Sequence, residues 1–320
     1  MPSGINSQPL SVPKFQMYLQ NNDDDKPRKQ VKVRPARKVT IQRTLTESCN
    51  IMKRLSLVLV GVGCMLFQSA QATLLFSEAF NYSPGALTGN VNPGNSIAWS
   101  SGSASGFTIA SGNLTYTGLA DQGGNELQIA NGASSSLFNT YANQTSGQIY
   151  YSFLFNATAA DSANNYFTAL NPGTSAPNGS GDAINAYYYI DGHIRVRGAA
   201  QSASAGTGPV LTLGQTYLIV EMIDLTAHTG SLWINPSSST FGGGTAPTAT
   251  ASLSGLTATA IDNVGFKAQA AAGGPYLVDN LLIGTTWAEV TPASVVPEPA
   301  TCALAGLGML GLVLARRMRK

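Results

Sequence analysis

The chain predicts an all-β fold, an antiparallel sandwich forming one large domain over residues 73–290. Three observations predict it. Short runs rich in Val, Ile, Tyr, Phe and Thr recur between clusters of Gly, Pro and Asn, the punctuation of strands and turns. No window carries apolar residues at helical spacing. A body of roughly 216 residues is long enough for a single β core.

Residues 1–51 precede that body and differ from it. They carry nine Lys or Arg against four acids, with sparse apolar residues and no period. Such a stretch cannot bury enough surface to order itself, so a disordered basic extension is expected. The next segment supports reading it as an over-extended gene start, the alternative being a long cytoplasmic leader. Met52-Lys53-Arg54 is a positive n-region, residues 55–67 are an apolar h-region, and Ala70-Gln71-Ala72 is a small-x-small cleavage site. Together residues 52–72 form a complete secretory signal. Cleavage between Ala72 and Thr73 is expected, with the secretion translocon as partner.

Within the body, strands are expected at 73–80, 107–110, 113–117, 126–130, 148–156, 166–170, 184–190, 193–197, 216–223, 231–234, 260–268, 276–283 and 286–290. Asp191-Gly192 between two of them predicts a two-residue hairpin, since both types tolerate positive φ. Strand alternation puts Tyr187 and Tyr189 on one face and Tyr188 on the other. In the last long strand the same alternation groups Leu277, Asp279, Leu281 and Ile283 against Val278, Asn280 and Leu282. Asp279-Asn280 reads as a hydrogen-bonding pair, and the first and last strands are expected to pair. Trp99, Trp233 and Trp287 read as packing.

After a linker over residues 291–299, which holds Pro297-Glu298-Pro299, the chain ends in an uncharged apolar segment at 300–315. Arg316, Arg317, Arg319 and Lys320 follow in a basic tail at 316–320. Sixteen residues make a helix of roughly 24 Å, just under the ~30 Å hydrocarbon core. The terminal cations set a cytoplasmic C-terminus, with the membrane as partner. The two prolines keep the motif extended and accessible.

Without its two ends the chain reverses sign. Residues 73–296 hold three cations (Arg195, Arg197, Lys267) against eleven acids, a net −8, whereas the whole chain is +2. Nucleic acid is therefore excluded as a charge-driven partner. Cys49, Cys64 and Cys302 all lie outside the body, so its core must hold without disulfides.

The proline-flanked acidic motif, short apolar span and Arg-rich end, in that order, resemble the PEP-CTERM sorting signal of Gram-negative bacteria that secrete exopolysaccharide. The resemblance implies recognition and processing by an exosortase-type membrane enzyme. It also implies an inner-membrane intermediate and a destination at the cell surface or in the extracellular matrix. The body has its own resemblance. Phe80-x-Tyr82-x-x-Gly85-x-Leu87, Trp99, Gly112-Asn113-Leu114-Thr115-Tyr116, Ser231-Leu232-Trp233-Ile234-Asn235-Pro236 and the closing stretch from Tyr276 to Trp287 are similar to concanavalin A-like (LamG-like) jelly rolls.

Chemistry is sparse. Glycosidases of that fold need paired carboxylates. The nearest cluster, Glu221-Met222-Ile223-Asp224, puts its two acids on opposite strand faces, with Glu221 expected toward solvent and Asp224 in a turn. His193 and His228 sit in turn-like sequence, which leaves a triad few bases. The run Gly242-Gly243-Gly244 lacks the Lys of a phosphate loop. No cofactor is expected. A structural calcium is compatible with Asp121, Asp161 and Asp182 in loops, but no spacing assigns its ligands. The expectation is a non-catalytic surface or matrix protein with a structural or adhesive role. The alternatives are a lectin-like module that contacts a neutral glycan, such as exopolysaccharide, through Tyr187 and Tyr189, and, less favoured, a glycoside hydrolase.

Overall fold

The computed structural model describes residues 74–103, 105–130, 134–174, 176–179, 181–198, 208–269, 275–294 and 316–317. The segments assigned to the secretory signal, the PEP motif and the apolar span lie outside the described residues. No helix among those described is long and apolar enough to cross a membrane.

The regular secondary structure is almost entirely antiparallel strand. In chain order these are β1 (Phe76–Glu78), β2 (Gly85–Ala86), β3 (Ser100–Ser103), β4 (Phe107–Ala110), β5 (Glu126–Ile129), β6 (Ser135–Gln144), β7 (Gln148–Ala157) and β8 (Asn165–Asn171). There follow β9 (Ile184–Tyr188), β10 (Ile194–Arg197), β11 (Tyr217–Asp224), β12 (Thr229–Ile234), β13 (Ala251–Ser254), β14 (Ile261–Ala268), β15 (Tyr276–Gly284) and a one-turn helix α1 (Trp287–Val290). The larger sheet runs β13-β12-β11-β7-β15-β5-β4-β2, with β1 also on β15; the smaller runs β10-β9-β8-β14-β6-β3. As expected, the first and last strands pair, Phe76 opposite Ile283.

The sheets face each other across an aromatic core. Phe155 of β7 stacks on Phe167 of β8 with centroids 4.6 Å apart, and Trp99 lies 5.7 Å from Phe266 of β14. Alternation along each strand supplies the inward residues: Tyr217, Ile219 and Ile223 on β11, Ile184, Ala186 and Tyr188 on β9. The opening motif closes one part of this core. The Glu78 carboxylate, 2% exposed, accepts hydrogen bonds from Phe80 N–H (2.8 Å), Tyr82 O–H (2.7 Å), Asn92 Nδ2 (2.8 Å) and Trp99 Nε1 (2.9 Å). A buried charge with four donors is satisfied, and Phe80 takes a left-handed φ of 48° to deliver its share.

The outer face of the larger sheet is not solvated. It carries a second apolar cluster of Tyr150, Leu154, Leu218, Val220, Trp233 and Leu282, covered by segment 112–122, segment 236–250 and α1. Trp233 and Trp287 meet there at 5.2 Å.

Several expectations change. Residues 113–117 form an irregular strap over that outer face rather than a strand. Residues 287–290 form α1 because Thr286 and Glu289 make a reciprocal capping box, which turns the chain helical. The ten-residue β6 was not expected, because its sequence is dominated by Ser, Asn, Thr and Gln. Its inward Asn139 is satisfied by Asn95 and by the Ile97 carbonyl. The Asp191-Gly192 hairpin is a longer turn: Tyr189 N–H donates to His193 O, and only Gly192 is left-handed (φ 79°). In β15 the pairing register slips between Asp279 and Leu282, and Asn280 has φ 51°. One extra residue flips the alternation. Tyr276 and Val278 therefore join Leu281 and Ile283 in the core, while Leu277 packs in the outer cluster.

Candidate functional site

The tyrosines singled out by alternation do share a face. On the outside of the smaller sheet, Tyr187 of β9 sits between Tyr166 of β8 (5.5 Å) and Tyr189 (5.8 Å), while Tyr188 points into the core. From the neighbouring β10, Arg195 lies 4.0 Å over the Tyr189 ring and Arg197 lies 5.5 Å from the Tyr187 centroid. Arg195 is also ion-paired to Asp191. Tyr187 is 7% exposed. Burial pushes its hydroxyl above the usual phenol range, and the Arg197 charge pulls it partly back. Both guanidinium groups rest on the ring faces that a sugar would need for stacking, so the cluster is a packed cation–π surface rather than an open platform.

The strand carboxylates diverge more sharply. Glu221 does not face solvent: it is 1% exposed, among inward-facing β11 residues, opposite Tyr151 of β7 and Leu232 of β12. Odd-numbered β11 positions face the core, and Glu221 is one of them. Neither carboxylate oxygen has a hydrogen-bond partner among the described residues, and burial pushes its pKa to about 8. Asp224 does serve a turn, accepting from Thr226 N–H (2.9 Å) and Ala227 N–H (2.8 Å), which lowers its pKa. His193 bonds the Gly208 carbonyl, and His228 occupies an exposed turn with φ 56°.

The three loop aspartates are engaged by protein. Asp121 accepts from Gly123 N–H and Asn113, Asp161 from Tyr276 and Asn165, and Asp182 from Asn178 N–H, Gly179 N–H and Asn185. Among the described residues no three His, Cys, Asp or Glu side chains are placed to hold a metal ion together.

The β15 bulge organises the strap. Asp279 accepts from Leu114 N–H (2.9 Å), Asn280 Oδ1 accepts from Gln122, and Asn280 Nδ2 donates to the Ala120 carbonyl. Burial outweighs these favourable bonds and pushes Asp279 to about 8, with Glu126 and Asp121 adding repulsion. The strap in turn holds the chain's exit. Ala120 N–H donates to Pro292 O, Ser294 N–H to Gly118 O, and Gly242 N–H to Thr291 O. Residues 291–294, expected in the linker, are thus built into the sandwich, and the next residues begin the tail.

Residues 295–320 carry a PEP-CTERM protein-sorting motif. The PEP-CTERM motif takes in Pro297, Glu298, Pro299 and the four terminal cations. It implies export, sorting to the cell envelope and processing by exosortase, a membrane-associated enzyme. No curated protein sequence matches the chain. Solved structures similar to it include a sialidase (12% identity, TM-score 0.42, covering 67% of this chain and 19% of that one). A Trypanosoma rangeli sialidase bound to a difluoro-KDN is another (13%, TM-score 0.35, 66% and 36%). Lectin II from Ulex europaeus is a third (12%, TM-score 0.38, 66% and 99%). The chain spans only 19% and 36% of these two sialidases' lengths. The architecture of this chain rests on its own strand pairing, not on these likenesses.

Proposed function

We propose that this is a non-catalytic surface protein with a structural or adhesive role, placed at the cell surface or in the matrix of an exopolysaccharide-producing Gram-negative bacterium. The observation that carries the reading is the stem. Residues 291–294 are hydrogen-bonded to the strap and to the 240–242 loop, so the sandwich extends to the residue before the PEP-CTERM motif. A folded body followed in sequence by a sorting tail suits display on the envelope. The non-catalytic part draws on the carboxylates: Glu221 is sealed between the sheets and Asp224 is engaged in its turn.

The test replaces Pro297, Glu298 and Pro299 together with Ala. The expected outcome is a full-length, membrane-retained protein beside a shorter, released wild type on immunoblots of cell fractions. Normal maturation of the triple variant would overturn the sorting reading. Hydrolysis of a β-glucan that is lost in Glu221→Gln would overturn the non-catalytic one.

A further inference from the structure

On the outside of the larger sheet a cavity of about 540 Å³ opens between three separate segments: residues 115–117 of the strap, Gln215 and Thr216 before β11, and residues 235–238 after β12. That volume lies within the ~300–1,000 Å³ of small-molecule sites. In a body with eleven acids its lining carries no charge. Its residues are threonines and serines with Gln215, Asn235, Tyr116 and Pro236.

The walls are held in place before any ligand arrives. Asn235 sits at φ 49°, exchanging bonds with Leu218: its N–H donates to Leu218 O (2.9 Å) and its Oδ1 accepts from Leu218 N–H (2.9 Å). Its Nδ2 has no protein partner among the described residues, and the Tyr116 hydroxyl likewise has none. Gly118 (φ 85°) lies so close to Ser238 that a Cβ there would fall 2.7 Å from the serine's Cβ, which clamps the strap to the 235–241 loop. The half-buried Tyr116 ring is braced by Phe241 at 6.2 Å. Ser294, bonded to Gly118, fixes the same wall from the stem side.

We infer that this cavity is a binding site for a neutral saccharide unit. Uncharged hydroxyl and amide groups match a polyol's donors and acceptors, and the Tyr116 ring offers an apolar face for the sugar's C–H groups. A charged ligand would find no counter-charge in the lining, and a wholly apolar one would leave the polar walls unpaired. The site differs from the tyrosine–arginine face of the smaller sheet, and it goes beyond surface display by giving the exported body a ligand.

The test is calorimetry on the full chain in detergent. The probes are cellotetraose, mannotetraose, a galactotetraose and tetragalacturonate. At least one neutral tetrasaccharide is expected to bind better than the uronate. Tyr116→Ala and Thr216→Val should each weaken it, the former about tenfold or more, while Tyr189→Ala leaves it unchanged. Should Tyr116→Ala lower Tm, Thr216→Val tests the wall with little loss of packing. The inference is overturned if no neutral tetrasaccharide binds, if binding survives both cavity variants or is lost in Tyr189→Ala, or if the uronate binds better. Failure here leaves the export reading intact, because the motif variant tests that separately.

Discussion

Replacing Glu221 by Leu should make this protein more stable, and by an amount that grows with pH. Glu221 lies 1% exposed between the sheets, flanked in register by Tyr151 and Leu232, with no hydrogen-bond partner for either oxygen. Desolvation raises its pKa from the ordinary 4.5 to about 8. The folded chain therefore holds a proton that the unfolded chain releases between pH 4.5 and 8. The side chain costs least below pH 4.5, and each pH unit above that removes about 1.4 kcal/mol until the folded carboxyl itself ionises. At pH 7 the loss is roughly 3 kcal/mol, and from pH 8 upward roughly 5 kcal/mol. Both are upper bounds, because relaxation and water entry soften desolvation.

Leucine of similar size removes the ionisation and leaves the apolar contacts in place. Urea unfolding of wild type and Glu221→Leu at pH 5, 6, 7 and 8 should give curves that converge at the acid end and diverge toward pH 8. Asp279, also raised to about 8, tilts the wild-type curve with the same sign. It lies on the opposite face of the sheet, so the difference between the two proteins isolates Glu221. A variant less stable than wild type at pH 7, or a difference that shrinks as pH rises, would mean that Glu221 is ionised and paired in the fold, and the reasoning would fail.

Other outcomes follow from single contacts. Asn280→Ala removes the bonds to Gln122 and Ala120 and puts a non-ideal residue at φ 51°; a loss of about 1–3 kcal/mol is expected, with faster hydrogen exchange confined to the strap. Gly265→Ala would bring a Cβ within 2.4 Å of Pro177 and 2.8 Å of the Leu137 carbonyl; thermal unfolding should show a loss of about 1–3 kcal/mol. Trp99→Phe takes one of four donors from the Glu78 carboxylate and should cost about 1–3 kcal/mol by urea titration, with the fold retained.

Much of the fold was legible because it is local. Strand composition placed β7, β11 and β12 closely, and alternation put Tyr187 and Tyr188 on opposite faces of β9. The same logic failed where one residue or one partner reversed it. A bulge at Asn280 flips half of β15, and a capping box converts 287–290 from strand to helix. The polar β6 is a strand because β14 and β3 lie beside it, which no window of its own sequence reveals. The candidate sites were less legible still. Tyr187 and Tyr189 were found on their shared face, but the arginines that cover them come from the partner strand.

The chain's address is written in contiguous residues, so the sequence alone determined it. Proline, an apolar span and terminal cations act in order along the backbone, and the PEP-CTERM motif needs no tertiary neighbour to be recognised. The acidic, cysteine-free, strand-rich character of the body is likewise a property of composition. Only the tertiary structure decided that Glu221 lies inside, that the stem belongs to the sandwich, and that a polar cavity joins residues 115–117, 215–216 and 235–238. Each depends on contacts between segments distant along the chain. Burial and register, unlike alternation, belong to the partner as much as to the residue itself.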